Sequence, residues 1–271
     1  MRNAEHIQSR VVGVKHGERN FHVFYQLTKG ASKEEKEWLG IAGPEAFHYL
    51  QQSHTFDADG LDDAADLGDL RQAMAVCGIT PEVQQHLFQI LGGILHLGNI
   101  DFGEENGASC VTDDAYLEYP AYLLGVNAQE MKRKLTSRLM TTGGTGKRGT
   151  AYDVPLNREQ AIGSRDALAK GLYARLFDFI VASINDAIVK RPHNGASSPA
   201  QRHGILNFGV LDIYGFEIFE KNGFEQFCIK YASPLFFFFY FFSLSLLYAK
   251  DERRRLTAPR RHCRWHRDTV T

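Results

Sequence analysis

An α/β fold, mainly helical with a few buried strands, is predicted by three features of the sequence. Apolar residues recur at helical spacing from Val83 to Leu95 and again from Ile162 to Ile188. The short run Ile205 to Ile213 is rich in Ile, Leu, Phe and Val, as a buried strand requires. No clean βαβ series accompanies them, so a complete doubly wound nucleotide fold is not indicated. The chain has 271 residues, 44% hydrophobic and 23% charged, which excludes a low-complexity disordered polymer. Its formal charge of -1 gives no global case for nucleic-acid binding, so any polyanion site is local.

Each element follows from local chemistry. Asn20 to Lys29 places Phe21, Phe24, Tyr25 and Leu27 on one helical face, with Gly30 where a helix often needs a left-handed residue. A helix is predicted over Ala65 to Val76, where Leu67, Leu70 and Met74 recur. The preceding carboxylates Asp57, Asp59, Asp62 and Asp63 read as turn and first-turn residues, because the offsets and bidentate Glu of a calcium loop are missing. Thr80 and Pro81 open a helix that Gly98-Asn99 close, with an apolar stripe of Val83, Leu87, Ile90, Leu91, Ile94 and Leu95. Gly92 and Gly93 inside it permit close approach of a neighbour.

Asn127 with Glu130 resembles a capping box, opening a basic helix that contains Lys132, Arg133, Lys134 and Arg138, whose polar face meets solvent or an acidic partner. Thr141 to Gly149 is too polar and glycine-rich for a core, and Thr150 to Pro155 has the character of a returning strand. A projecting basic loop or hairpin is expected. From Asn157 a long helix carries Ile162, Leu168, Leu172, Leu176, Phe179, Ile180, Ile184 and Ile188 on one side over roughly 45 Å, which needs a domain-scale surface to pack against. Arg191 to His203 reads as an exposed connection.

The sharpest chemistry lies just after the predicted buried strand, in Asp212-Ile213-Tyr214-Gly215-Phe216-Glu217. A carboxylate at a strand end can hold a magnesium-bound water, and an unobstructed glycine amide can meet a terminal phosphate oxygen. This segment resembles switch II of the myosin motor domain, and Ile218-Phe219-Glu220-Lys221-Asn222-Gly223-Phe224-Glu225-Gln226-Phe227-Cys228-Ile229 is similar to the start of that family's relay helix. Gly17-Glu18-Arg19-Asn20-Phe21-His22-Val23-Phe24-Tyr25-Gln26 resembles the family's segment downstream of switch I, and Asn157 to Asn185 its long helix before the switch II strand. The order is as expected over about Ser9 to Tyr231. The short segment between Leu139 and Asn157 looks most like a class I unconventional myosin of the fungal or amoeboid type.

The resemblance implies an incomplete P-loop NTPase-like myosin head, mainly helical, with central-sheet strands, switch II and the start of the relay helix. It implies a fragment of an actin-based motor whose complete parent uses ATP and Mg2+ to move on actin filaments, in endocytosis, vesicle transport and cortical actin organisation. Asp212 then supports the magnesium shell, Gly215 donates its amide to the γ-phosphate, and Glu217 pairs with a switch I arginine while organising the attacking water. Phe216, Phe219 and Phe224 transmit switch closure into the relay helix. The polar loop corresponds to the family's actin-facing cardiomyopathy loop, whose regulatory position lies sixteen residues before Asp166-Ala167-Leu168-Ala169-Lys170, at Thr150. There Lys147 and Arg148 present Thr150 to a kinase and face acidic actin.

The departures are equally definite. No Gly-x-x-x-x-Gly-Lys-Ser/Thr phosphate loop is present, Thr142-Gly143-Gly144-Thr145-Gly146-Lys147 lacks its spacing, and switch I is also missing. Independent ATP turnover is therefore not expected of this chain, and the alternative reading is a non-catalytic actin-interaction or structural remnant. The domain boundaries expected are a partial motor domain over 1–231 and a divergent tail over 232–271, apolar and then Arg-rich, that is not native motor sequence. Pro234 breaks the relay helix, and the almost wholly apolar Leu235 to Ala249, shorter than the roughly 20 residues a spanning helix needs, reads as translated intron in a truncated or mispredicted product rather than as a membrane anchor or an unusual buried or aggregation-prone segment. Seven arginines from Arg253 to Arg267 suggest no specific nucleic acid, and His262, Cys263 and His266 complete no zinc site. Light chain or calmodulin binding belongs to a missing neck and membrane association to a missing tail. Four scattered cysteines, Cys77, Cys110, Cys228 and Cys263, and the lack of an apolar leader point to a cytoplasmic protein of the actin cytoskeleton or cell cortex.

Overall fold

The computed structural model describes residues 9–142 and 150–190, all within the unit Met1–Ala196. Helix α1 (His22–Gly30) buries Phe24, Tyr25, Leu27 and Thr28. Phe21 stands one residue ahead of it, at the N-cap, and stacks on Tyr173 with ring centroids 4.8 Å apart. Gly30 is the last helical residue and not a left-handed cap. Its role is close approach, since a Cβ there would lie 3.0 Å from the Ala64 backbone. Helix α2 (Lys33–Leu39) follows, opened by a reciprocal capping box between Ser32 and Glu35 and closed by Gly40 at φ 63°. A short 3-10 turn at Pro44–Ala46 leads into α3 (His48–Gln51), which buries Tyr49 and Leu50.

Helix α4 (Asp63–Val76) begins where the Asp62 side chain accepts from the amides of Ala64 and Ala65. Helix α5 (Pro81–Gly98) is capped by Thr80 and lines the core with Leu87, Phe88, Leu91, Ile94, Leu95 and Leu97. Its glycines are contact points, as Gly93 faces the Leu124 side chain at 2.9 Å from a notional Cβ. Strands β1 (Phe102–Glu105) and β2 (Ala108–Val111) form an antiparallel hairpin, closed by Asn106 at φ 53° and Gly107 at φ 76°. After a 3-10 turn at Asp114–Leu117 come α6 (Glu118–Leu124), ended by left-handed Gly125, and α7 (Ala128–Thr136).

The second ribbon pairs β3 (Ser137–Thr142) with β4 (Thr150–Pro155) antiparallel. Helix α8 (Arg158–Lys190) then runs 33 residues, about 50 Å at 1.5 Å each. Its first turn is closed by a reciprocal pair in which Gln160 N donates to Asn157 Oδ1 and Asn157 N donates to Gln160 Oε1. The buried residues of α8 are Ala161, Arg165, Ala169, Tyr173 and Leu176, so of the predicted stripe Leu176 is buried and Ile162, Leu172 and Ile180 pack partly buried against the core. Leu168, Phe179, Ile184 and Ile188 from that stripe are exposed. Small alanines bring α8 close to α5, and Arg165 is buried because its Nη1 donates to the carbonyls of Gly98 and Ile100 at the end of α5.

Two hydrophobic clusters result. One gathers α1, α4 and α5 with Ala169, Tyr173 and Leu176 of α8, and the other joins Leu97, Ile100, Phe102, Val111, Leu117, Met131, Leu135 and Ala161. The second supports the root of the β3–β4 ribbon, since Met131 and Leu135 are on α7 and Ala161 on α8. Among the described residues no helix is long and apolar enough to cross a membrane.

Candidate functional site

The β3–β4 ribbon leaves the helical body between the end of α7 and the start of α8. Asn127 caps α7 by accepting from the amides of Gln129 and Glu130. The predicted capping box is only half formed, because Glu130 turns its carboxylate to Arg133 and not back to Asn127. Arg138, predicted on this helix, lies on β3. The helix stops at Thr136, where Ser137 becomes extended and bonds the Arg133 carbonyl through both its amide and its hydroxyl, the latter at 2.7 Å.

The opposite strand is fixed by backbone bonds. Leu156 N donates to Thr136 O at 2.9 Å, and Ser109 N of β2 donates to Leu156 O at 2.7 Å. From this root the register pairs Arg138 with Val154, Leu139 with Asp153, Met140 with Tyr152, Thr141 with Ala151 and Thr142 with Thr150. Successive residues of a strand alternate in face, so Arg138, Met140 and Tyr152 share one face and Leu139, Thr141, Ala151 and Asp153 the other. Leu139, Met140 and Tyr152 are 57%, 39% and 45% exposed.

Charge is laid out around the root as ion pairs. Arg133 Nη1 donates to Asp153 Oδ2 at 2.6 Å, and its Nε and Nη2 both donate to Glu130 Oε2, at 3.2 and 2.7 Å. These bonds raise the Arg133 pKa above its ordinary value and hold Glu130 below the usual carboxylate range, Arg133 being the chief cause. Lys132 donates to both oxygens of Asp114, at 2.7 and 2.8 Å. The basic face of α7 is therefore paired in part within the protein, Lys132 and Arg133 being the residues taken up.

The predicted site residues divide into two groups. Thr150 is the first residue of β4, at the outer end of the paired ribbon. Lys147 and Arg148 lie outside the described residues, as do Asp212, Gly215, Phe216, Glu217, Phe219 and Phe224. Among the described residues no group of three or more His, Cys, Asp and Glu is arranged to hold a metal ion. What the described part offers is an exposed ribbon with Arg138, Met140 and Tyr152 on one face, rooted in the helical body.

Sequence reasoning did not single out Asp153, which ties the ribbon to α7, or Arg165, which ties α8 to α5. Asp153 sits in a returning strand where alternation gives only its face. Arg165 stands beside Asp166, and its Nε donates to Asp166 Oδ1 at 2.9 Å while Tyr49 donates its hydroxyl to the same oxygen at 2.7 Å. In the sequence the one signal is that Arg165 stands four positions from both Ala161 and Ala169, on the same side of a helix.

Comparison with known proteins matches the sequence to one family. The profile of the myosin head (motor domain) matches residues 6–245. Myosin-1 of Aspergillus niger is 44% identical over 227 residues, covering 83% of this chain and 17% of that protein. Myosin-1 of Coprinopsis cinerea is 45% identical over 227 residues, with coverage of 83% and 17%. Myosin IC heavy chain of Dictyostelium discoideum is 46% identical over 227 residues, with coverage of 83% and 18%. The chain thus spans less than a fifth of the length of these relatives. With a family match that runs from ahead of α1 through the ribbon and α8 and past Glu217, this chain belongs to the myosin head (motor domain) family and is similar to its class I members.

Proposed function

We propose that the chain is part of an actin-based motor whose complete polypeptide couples hydrolysis of Mg-bound ATP to movement on actin filaments. The observation that carries this reading is the family match over residues 6–245, which takes in both the ribbon and the Asp212 to Glu217 segment. In this reading the two regions divide the work. The ribbon, with Thr150 opening β4 and Lys147 and Arg148 just before it in the sequence, meets the acidic filament, and phosphorylation of Thr150 adds charge that alters that contact. Asp212 supports the magnesium shell, the Gly215 amide meets the γ-phosphate, and Glu217 orients the attacking water and pairs with an arginine of the motor. Phe216, Phe219 and Phe224 carry the closure of that turn onward. ATP with Mg2+ supplies the phosphoryl group and its charge neutralisation when bound. The protein acts in the cytoplasm at the actin-rich cortex. Binding of light chains or calmodulin, and of membranes, belongs to the neck and tail of the full-length motor.

Positioning and charge stabilisation, with no covalent step on the protein, would carry hydrolysis. The test is actin-activated ATPase of the full-length motor containing this segment. Glu217→Ala is expected to lower it by about 100-fold or more, the loss typical when a transition-state donor or water-positioning group is removed, with the circular dichroism of the fold unchanged. Turnover equal to that of the parent would sink the reading.

A further inference from the structure

The backbone bonds that root the β3–β4 ribbon end at Ser137 and Leu156. Farther out, among the described residues, the ion pair of Arg133 with Asp153 is the one hydrogen-bonded link between the ribbon beyond its root and the helical body. Asp153 is opposite Leu139, two pairs beyond Ser137 and Pro155, so this link reaches past the backbone root. The guanidinium is held at two edges: Glu130 takes Nε and Nη2, Asp153 takes Nη1. A planar group bound on two sides keeps little freedom, so Glu130 fixes the direction in which Arg133 offers its remaining edge to the strand.

The register adds the second half. Asp153 shares its face with Ala151, Leu139 and Thr141, whereas Tyr152, Met140 and Arg138 share the opposite one. A tether on the Asp153 face holds the ribbon from behind and leaves the face of Arg138, Met140 and Tyr152 turned away from it. We infer that Arg133 is a positioning residue, which through Asp153 sets the angle at which the ribbon stands on the body and thereby its affinity for the filament. This rests on the actin reading above. Without the pair, the ribbon pivots at Ser137 and Leu156 and the contact face is no longer pre-set, so part of the binding free energy goes into ordering it.

Charge and tethering separate cleanly here. Arg133→Met removes a positive charge and Asp153→Asn removes a negative one, yet both cut the same link. In the full-length motor, both variants are expected to raise the actin concentration for half-maximal ATPase by about threefold, the scale of a partly exposed ion pair, with the rate in the absence of actin unchanged. Both are also expected to speed hydrogen exchange at the amides of residues 139–141 and 151–153. Opposite shifts in actin dependence would show that net charge acts and not the tether, and would overturn the inference. So would unchanged actin dependence in a motor that does respond to Thr150→Glu. A motor with no response at Thr150 instead overturns the actin reading, while the exchange measurement still reports the tether by itself.

Discussion

Asp63 is buried with its side chain 3% exposed, and it receives Arg19 Nη2 at 2.6 Å and Lys29 Nζ at 2.8 Å on one oxygen. Burial pushes its pKa up, but hydrogen bonds from Arg19 and Lys29, with their charges, outweigh that and leave it below the usual carboxylate range. Arg19 in turn lies 4.0 Å over the Tyr25 ring, which fixes its approach. Asp63→Asn leaves the buried Arg19 with a neutral partner, Lys29 keeping Asp57, and is expected to cost roughly 3 kcal/mol at neutral pH by denaturant titration. Because the folded pKa is depressed, the stabilisation is complete above the unfolded carboxylate pKa and is lost as pH falls through the lower folded value. The gap between parent and Asp63→Asn should therefore narrow in acid, and a constant gap would contradict the assignment. The acidic run was legible as turn and first-turn chemistry, and Asp62 caps α4 as that implies. Burial of Asp63 was not, because Arg19 and Lys29 are separated from it by 44 and 34 residues.

At the scale of elements, helix ends were the most legible feature. Thr80-Pro81 and Gly98-Asn99 bracket α5 because an N-terminal side-chain cap and a proline without a donor are local signals. The working face of α8 was harder to read. Half of its predicted stripe, Ile162, Leu172, Leu176 and Ile180, does pack against the core, but Ala161 and Ala169 are buried beside it and Arg165 turns between them onto the carbonyls of Gly98 and Ile100. A carbonyl-binding arginine is invisible to hydrophobic periodicity. Gly98 tests this junction. A Cβ there would lie 2.8 Å from the Tyr49 ring, which is held by its hydroxyl's bond to Asp166. Gly98→Ala is expected to destabilise by about 1–3 kcal/mol, the usual cost of overpacking a core, seen as a lower Tm. An unchanged Tm would mean the ring moves aside and that the Tyr49–Asp166 bond does not fix it. The short hairpin β1–β2 and helix α2 were not predicted, although Asn106-Gly107 and the Ser32 to Glu35 capping box are local signals of the same kind.

For the molecule as a whole, the ribbon follows from the contrast between a glycine-rich polar segment and the apolar helices on either side, and its existence and returning strand were legible from that contrast. Its orientation was not, because it depends on Arg133 meeting Asp153 across 20 residues. Family membership was legible from motif order along the chain, whereas the segment Asp212 to Glu217, proposed to meet the phosphate, lies outside the described residues, and its chemistry rests on sequence alone. The account therefore turns on the ribbon being the filament-facing part of a motor with Thr150 as its control point. The most direct measurement is the actin concentration for half-maximal ATPase of the full-length motor, with Thr150→Glu and Thr150→Ala compared. The account predicts a value at least about fivefold lower for Thr150→Glu than for Thr150→Ala, with equal rates in the absence of actin, a coupling of ordinary size for a regulatory charge. Identical actin dependence in the two variants would contradict it.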